Sequence, residues 1–255
     1  HRINLEYIKK TCYNNYSRKQ NTQQNVETSM TLPDIKAPGK VSLQEFKMNF
    51  REKHPGKLFV LSGPSGAGKG TICKRLLEET EDLELSVSMT TRAPRTGEVE
   101  GISYYFTDVE TFKKSIEGGE LLEYAQVYGN YYGTPRQMVL EKLSQGTDVI
   151  LEIDMQGALK VKENYPDGIF IFILPPSMSE LRKRLTGRGT ESAEAIEIRL
   201  GETLKELSYI EKYDYCVVNG VLEEAVARVK AIVVAEHSKV AFTAEELIES
   251  YKEEA

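Results

Sequence analysis

The sequence predicts an α/β fold: a P-loop parallel sheet flanked by helices, with an inserted small lobe and a helical lid. Three observations point there. The apolar run Leu58-Phe59-Val60-Leu61 breaks at a glycine-rich stretch, Gly63 to Gly68, that runs into Lys69. Further apolar runs at 149–151, 169–174 and 215–218 alternate with helical patterns, the order that builds a parallel sheet. Between positions 85 and 134 the texture changes to turns and tyrosines, as an inserted lobe would.

Residues 1–56 precede the first strand and show no sustained periodicity. Seven of the twelve residues from Asn14 to Asn25 are Asn or Gln, too little apolar surface to offset chain entropy, so a basic extension without fixed structure is expected. The chain opens on His1, with Met30 and Met48 as candidate natural starts; a targeting extension is the alternative reading. Residues 1–57 hold 11 Lys/Arg against 5 Asp/Glu, whereas 58–255 hold 22 against 34. An acidic body of that kind argues against a polynucleotide partner, which needs a broad basic face.

Lys57 opens the folded part. A helix follows the glycine stretch from Lys69 to about Glu79, and another is expected over Val109 to Gly118 inside the lobe. From Met178 to about Lys212 the pattern is helical and arginine-rich, interrupted by Gly187-Arg188-Gly189, which reads as a mobile cover. The expected division is a core at 57–84, 135–181 and 202–236, a lobe at 85–134 and a lid at 182–201. The tail at 237–255 carries a short acidic amphipathic helix, Thr243 to Glu254. No stretch approaches the ~18 to 20 apolar residues of a membrane span, so no membrane partner and a cytoplasmic location are expected. Cys12, Cys73 and Cys216 are too scattered for a disulfide framework, and the three histidines lack metal-ligand spacing.

The chemistry begins at Gly63-Pro64-Ser65-Gly66-Ala67-Gly68-Lys69-Gly70-Thr71. A strand before it and a helix after it make this a phosphate-binding loop: backbone N–H groups turn inward, the helix start adds its dipole, and Lys69 supplies a point charge. The strict pattern has Ser or Thr directly after the lysine; here Gly70 intervenes and Thr71 follows, which leaves the metal ligand open. Next, Arg92, Arg95, Tyr104 and Tyr132 form a candidate pocket for a second phosphate. Glu152 and Asp154 close the apolar strand Val149-Ile150-Leu151 at its carboxyl end, the edge where open α/β sheets bind ligands, and their spacing sends both to one side.

These residues resemble the guanylate kinase family. The resemblance is carried by the phosphate loop, Ser86-Val-Ser-Met-Thr-Thr-Arg-Ala-Pro-Arg95, Gly129-Asn-Tyr-Tyr-Gly133, Ile153-Asp-Met-Gln-Gly157 and Gly187-Arg-Gly-Thr-Glu191, and it spans about 57–236. It implies transfer of the γ-phosphoryl group of ATP to GMP, and to dGMP, with Mg2+. It makes the lobe a GMP-binding lobe and implies a guanine site in which Ser88 and Thr134 approach O6 while Glu123 and Asp154 accept from N1–H and the exocyclic amine. The GMP phosphate would lie among Arg92, Arg95, Tyr104 and Tyr132. Arg184, Arg188 and Arg199 match the family's lid arginines, and Glu152, with Thr71, stands near the metal's waters. The other readings weighed are a kinase for AMP, UMP or CMP, and a silent phosphopeptide-binding module, which usually lacks the loop lysine and lid arginines. A homo-oligomer is compatible with the sequence, which does not decide it.

Overall fold

β1 (Leu58–Ser62) runs through the middle of a five-stranded sheet, and all five of its residues are buried. The structure is a computed structural model describing residues 55–127, 129–187, 193–240, 248–249 and 251–252. The expected extension up to residue 54 and Arg188 therefore lie outside the described residues, as does most of the expected tail helix. The sheet order is β2 (Leu83–Leu85), β7 (Asp148–Glu152), β1, β8 (Ile169–Leu174) and β9 (Tyr215–Val218), with every pair parallel.

Because a strand alternates its side chains between two faces, β1 feeds two cores. Phe59 and Leu61 join Ile72 and Leu76 of α1 (Lys69–Glu79) and Val226 and Val229 of α7 (Leu222–His237). Leu58 and Val60 join Val139 of α3 (Arg136–Ser144) and Ala158 and Val161 of α4 (Met155–Asn164). Burial on both faces explains why β1 and β8 read as unbroken apolar runs. The spans expected for α1, β8 and β9 are those observed. β2 was not expected as a strand: it is three residues long and only Leu83 of it is buried, so neither length nor periodicity announces it.

The inserted segment carries its own four-stranded sheet, ordered β4 (Tyr105–Phe106), β3 (Met89–Thr90), β6 (Asn130–Pro135), β5 (Leu121–Val127). Behind it lies α2 (Val109–Glu117), whose first turn is capped by the Asp108 side chain on Thr111 N–H and whose Phe112 stacks on Tyr131 at 5.4 Å. Leu122 of β5 packs into the core with Val60, and Asn164 donates to its carbonyl at 2.8 Å, which ties the lobe to the main sheet. On the other side α5 (Met178–Thr186) and α6 (Ala193–Leu207) pack through Leu181, Leu185, Ile196 and Leu200, with an Arg182–Glu197 ion pair across them.

Candidate active site

The C-terminal end of β1 turns directly into the glycine loop. Gly68 caps α1 at φ 93, and a Cβ there would stand 2.3 Å from Asn219 Nδ2, so glycine is required twice over. The Lys69 ammonium lies back across the loop, donating to the carbonyls of Gly63 at 2.6 Å and Pro64 at 3.3 Å. Gly70 is where the chain departs from the strict loop pattern. A Cβ at that position would sit 3.3 Å from both carboxylate oxygens of Glu152, a tight contact that a shift of the acid's flexible end by a few tenths of an ångström would relieve. Thr71, one residue on, is exposed in the first turn of α1.

Three residues brace this loop. Asn219 Nδ2 donates to the Ala67 carbonyl at 2.8 Å in a buried bond. Arg184 reaches the same carbonyl at 3.4 Å and the Asn219 carbonyl at 2.9 Å, while its Nε pairs with Glu180 at 3.1 Å. Arg199 donates to Ser65 Oγ at 2.7 Å. Arg184 and Arg199 thus converge on the loop. The sequence reading passed over Asn219; its signal is an asparagine immediately after the apolar strand β9, at the carboxyl edge of the sheet.

In the lobe, Arg92 lies 5.4 Å above the Tyr104 ring and pairs with Glu98 through Nη2 at 2.8 and 3.0 Å. Tyr104 and Tyr132 meet edge-on at 6.0 Å, so Arg92 and the two tyrosines form one cluster. The Arg95 side chain is exposed, but its backbone N–H donates to Glu98 at 2.8 Å. The Arg92 Nη2 contact first, and the Arg95 N–H second, hold the Glu98 carboxyl below its usual range. The sequence reading gave Glu98 no role, although an acid six residues after an arginine in one tight turn was the available signal.

Glu123 is buried on β5 and accepts from Thr134 Oγ1 at 2.7 Å across the β5–β6 pair. Burial pushes its carboxyl up; the Thr134 hydroxyl and Lys160 pull it back, and Asp154 pushes it further up. Asp154 is close by: a Cβ on Gly157 would stand 3.4 Å from Glu123 Oε2 and 3.5 Å from Asp154 Oδ1. The spacing argument for Asp154 does not hold, however. The strand ends at Glu152, and Asp154 is the N-cap of α4, accepting from Gly157 N–H at 2.8 Å. Ser88 is half-buried beside β3, and its carbonyl accepts from Tyr105 N–H at 2.9 Å.

Residues 55–236 match a family model described as guanylate kinase. The chain belongs to the guanylate kinase family. It is 56% identical over 188 residues to the guanylate kinase of Caldanaerobacter subterraneus subsp. tengcongensis, covering 74% of this chain and 91% of that one. It is 56% identical over 195 residues to that of Clostridium acetobutylicum, covering 76% and 93%. A crystal structure of guanylate kinase from Anaplasma phagocytophilum is similar at a TM-score of 0.60 and 40% identity, covering 78% of this chain and 96% of that chain.

Within this guanylate kinase fold the donor set suits a hard cation. Glu152, at the end of β7 and next to Gly70, and Thr71, in the first turn of α1, carry oxygen donors. Mg2+ takes oxygen ligands, keeps much of its water and draws others from substrate phosphates.

Proposed function

We propose that the protein transfers the γ-phosphoryl group of ATP to GMP, and to dGMP, through the residues described above. The observation that carries the reading is the buried Glu123–Thr134 pair facing Asp154, joined through one sheet edge to a lysine-bearing phosphate loop. Guanine presents donors at N1 and its exocyclic amine, which carboxylates can accept. Adenine presents an acceptor at N1 and would leave a buried carboxylate unpaired, a penalty of about 1–3 kcal/mol or more. When guanine's N1–H supplies Glu123 with a donor, the Thr134 hydroxyl is released to turn toward O6, with Ser88 beside it.

Arg92, Arg95, Tyr104 and Tyr132 hold the GMP phosphate. Its second pKa is near ~6, so it is largely dianionic at neutral pH and needs no general base. One of its oxygens forms a bond to the γ-phosphorus as the bond to the β,γ-bridging oxygen breaks, and the electron pair leaves with ADP. Lys69, Arg184, Arg188 and Arg199 neutralise the charge on the moving group, and the loop N–H groups orient it. Mg2+ held near Thr71 and Glu152 would supply further neutralisation of the phosphate oxygens. The contacts grip base and phosphate, which is why dGMP is included. No helix among the described residues is long and apolar enough to cross a membrane, and we place the reaction in the cytoplasm on the chemistry of its substrates.

The test is ADP release with ATP and Mg2+, offering GMP, dGMP, AMP, UMP and CMP in parallel, with Lys69→Ala as control. Turnover with GMP and dGMP alone, abolished in the control, is expected. Tight GMP binding without turnover would favour the silent-module reading.

A further inference from the structure

The strand that carries Glu123 falls out of step with its neighbour at that residue. β5 pairs with β6 at Leu121↔Pro135 and next at Tyr124↔Gly133, three positions on one strand (121 to 124) against two on the other (135 to 133). This is a bulge, which interrupts the ladder and re-aims a side chain. Gly133 makes room for it: a Cβ there would stand 2.9 Å from the Glu123 carbonyl oxygen, so only a glycine lets the bulged backbone come this close.

α4 supplies what the interrupted ladder lacks. Gly157, Lys160 and Asn164, at i, i+3 and i+7, share one face of that helix. Asn164 Nδ2 donates to the Leu122 carbonyl at 2.8 Å, and Lys160 Nζ donates to the Tyr124 carbonyl at 2.8 Å. These two carbonyls stand on either side of Glu123. Leu122 is fully buried, so a carbonyl there needs a donor from within the protein. Between the two grips lies Gly157, where a Cβ would stand 3.4 Å from Glu123 Oε2. Both grips are themselves held. The Asn164 backbone carbonyl accepts from Arg136 Nη2 at 2.7 Å, and the Lys160 ammonium lies 4.8 Å from the centre of the Tyr124 ring.

We propose that Lys160 and Asn164 are positioning residues for Glu123: by gripping the carbonyls on either side of the bulge, they fix where its carboxylate meets the base of the nucleotide. The inference rests on the base-site reading of Glu123 above. Glu123→Gln alone tests that reading; the cycles below test this one.

The experiment is a pair of double-mutant cycles in the full chain with ATP, GMP and Mg2+: Lys160→Met and Asn164→Ala, each alone and combined with Glu123→Gln, with Glu163→Gln as an exposed control on the same helix. Lys160→Met keeps the stem and loses the donor. It is expected to raise the KM for GMP about threefold, and Asn164→Ala about tenfold, each with the KM for ATP within about twofold. Lys160→Arg, which keeps a donor at the end of its stem, should stay within about twofold of wild type. In the Glu123→Gln background each grip variant should change kcat/KM for GMP by less than about twofold, because the carboxylate that it places is gone. An equal fall in both backgrounds, a rise in both KM values together, or no change in the wild-type background overturns the proposal. If Asn164→Ala melts far below wild type, Lys160→Met, a change at an exposed side chain, runs through the same cycle with the same outcomes deciding.

Discussion

Asn219 and Ala67 are 152 positions apart and share a buried 2.8 Å hydrogen bond from side-chain amide to backbone carbonyl. The bond fastens the end of β9 to the phosphate loop, and it forms because Gly68 has no Cβ to stand in the way. Asn219→Ala would leave Arg184, at 3.4 Å, as the other described donor to that carbonyl. We expect a loss of about 1–3 kcal/mol, read as a fall of several degrees in Tm. The KM for ATP should rise while that for GMP stays put. A change confined to GMP would show that the brace does not serve the ATP loop.

On the proposed reading of the base site, Glu123 links specificity to pH. Its carboxyl is raised from the usual value by burial, so the folded chain holds that proton more tightly than the unfolded chain does. The sign follows: stability from this group is complete below the ordinary carboxylate pKa and is lost as pH rises through the raised one. Glu123→Gln, which cannot ionise, should therefore melt above wild type at about pH 8, and the gap should close on acidification to roughly pH 4. The same variant should lose roughly a thousandfold in kcat/KM for GMP, because an amide N–H would face guanine's donors. Melting curves across pH and GMP kinetics check the two halves separately.

Arg92 places Nη2 on both carboxylate oxygens of Glu98, Nη1 on the Ala93 carbonyl and its flat face over Tyr104. A lysine, with one nitrogen and no flat face, cannot make all three contacts. Arg92→Lys should raise the KM for GMP by about tenfold or more while the KM for ATP changes by less than about twofold. Initial-rate kinetics with each substrate varied in turn would show it, and an equal effect on both would break the assignment of Arg92 to the GMP phosphate.

At the far end of β7, Asp148 is buried and accepts from Lys57 N–H at 2.7 Å and pairs with His237 at 2.8 Å. Asp148→Ala would strand that part-buried N–H. A cost of about 1–3 kcal/mol is expected, with kcat at 25 °C unchanged, since the residue stands at the sheet edge away from the loop. Thermal melts and a single-temperature assay decide it.

Much of this was legible in sequence because the physics is local. Gly63 to Thr71 announces a loop, and the unbroken run from Ile169 to Leu174 announces a strand buried on both faces. β2 and the two-residue strands β3 and β4 were not legible, because so short a segment takes its conformation from its neighbours rather than from its own pattern. Asp154 shows the limit of periodicity: its residue type and place were read, but an alternation that assumes a strand fails once the chain has turned to cap a helix.

By itself, the sequence determined the parallel α/β class, the phosphate loop, the helix behind it and the residue types from which a guanine and two phosphates could be held. Tertiary structure decided what touches what. Only packing shows that Asn219 and Arg184 brace Ala67 and that Glu123 meets Thr134 across the lobe's sheet. These are contacts between residues distant in the chain, and their energy comes from burial and partner geometry, which are properties of the folded arrangement and leave no period or motif in the order of the residues.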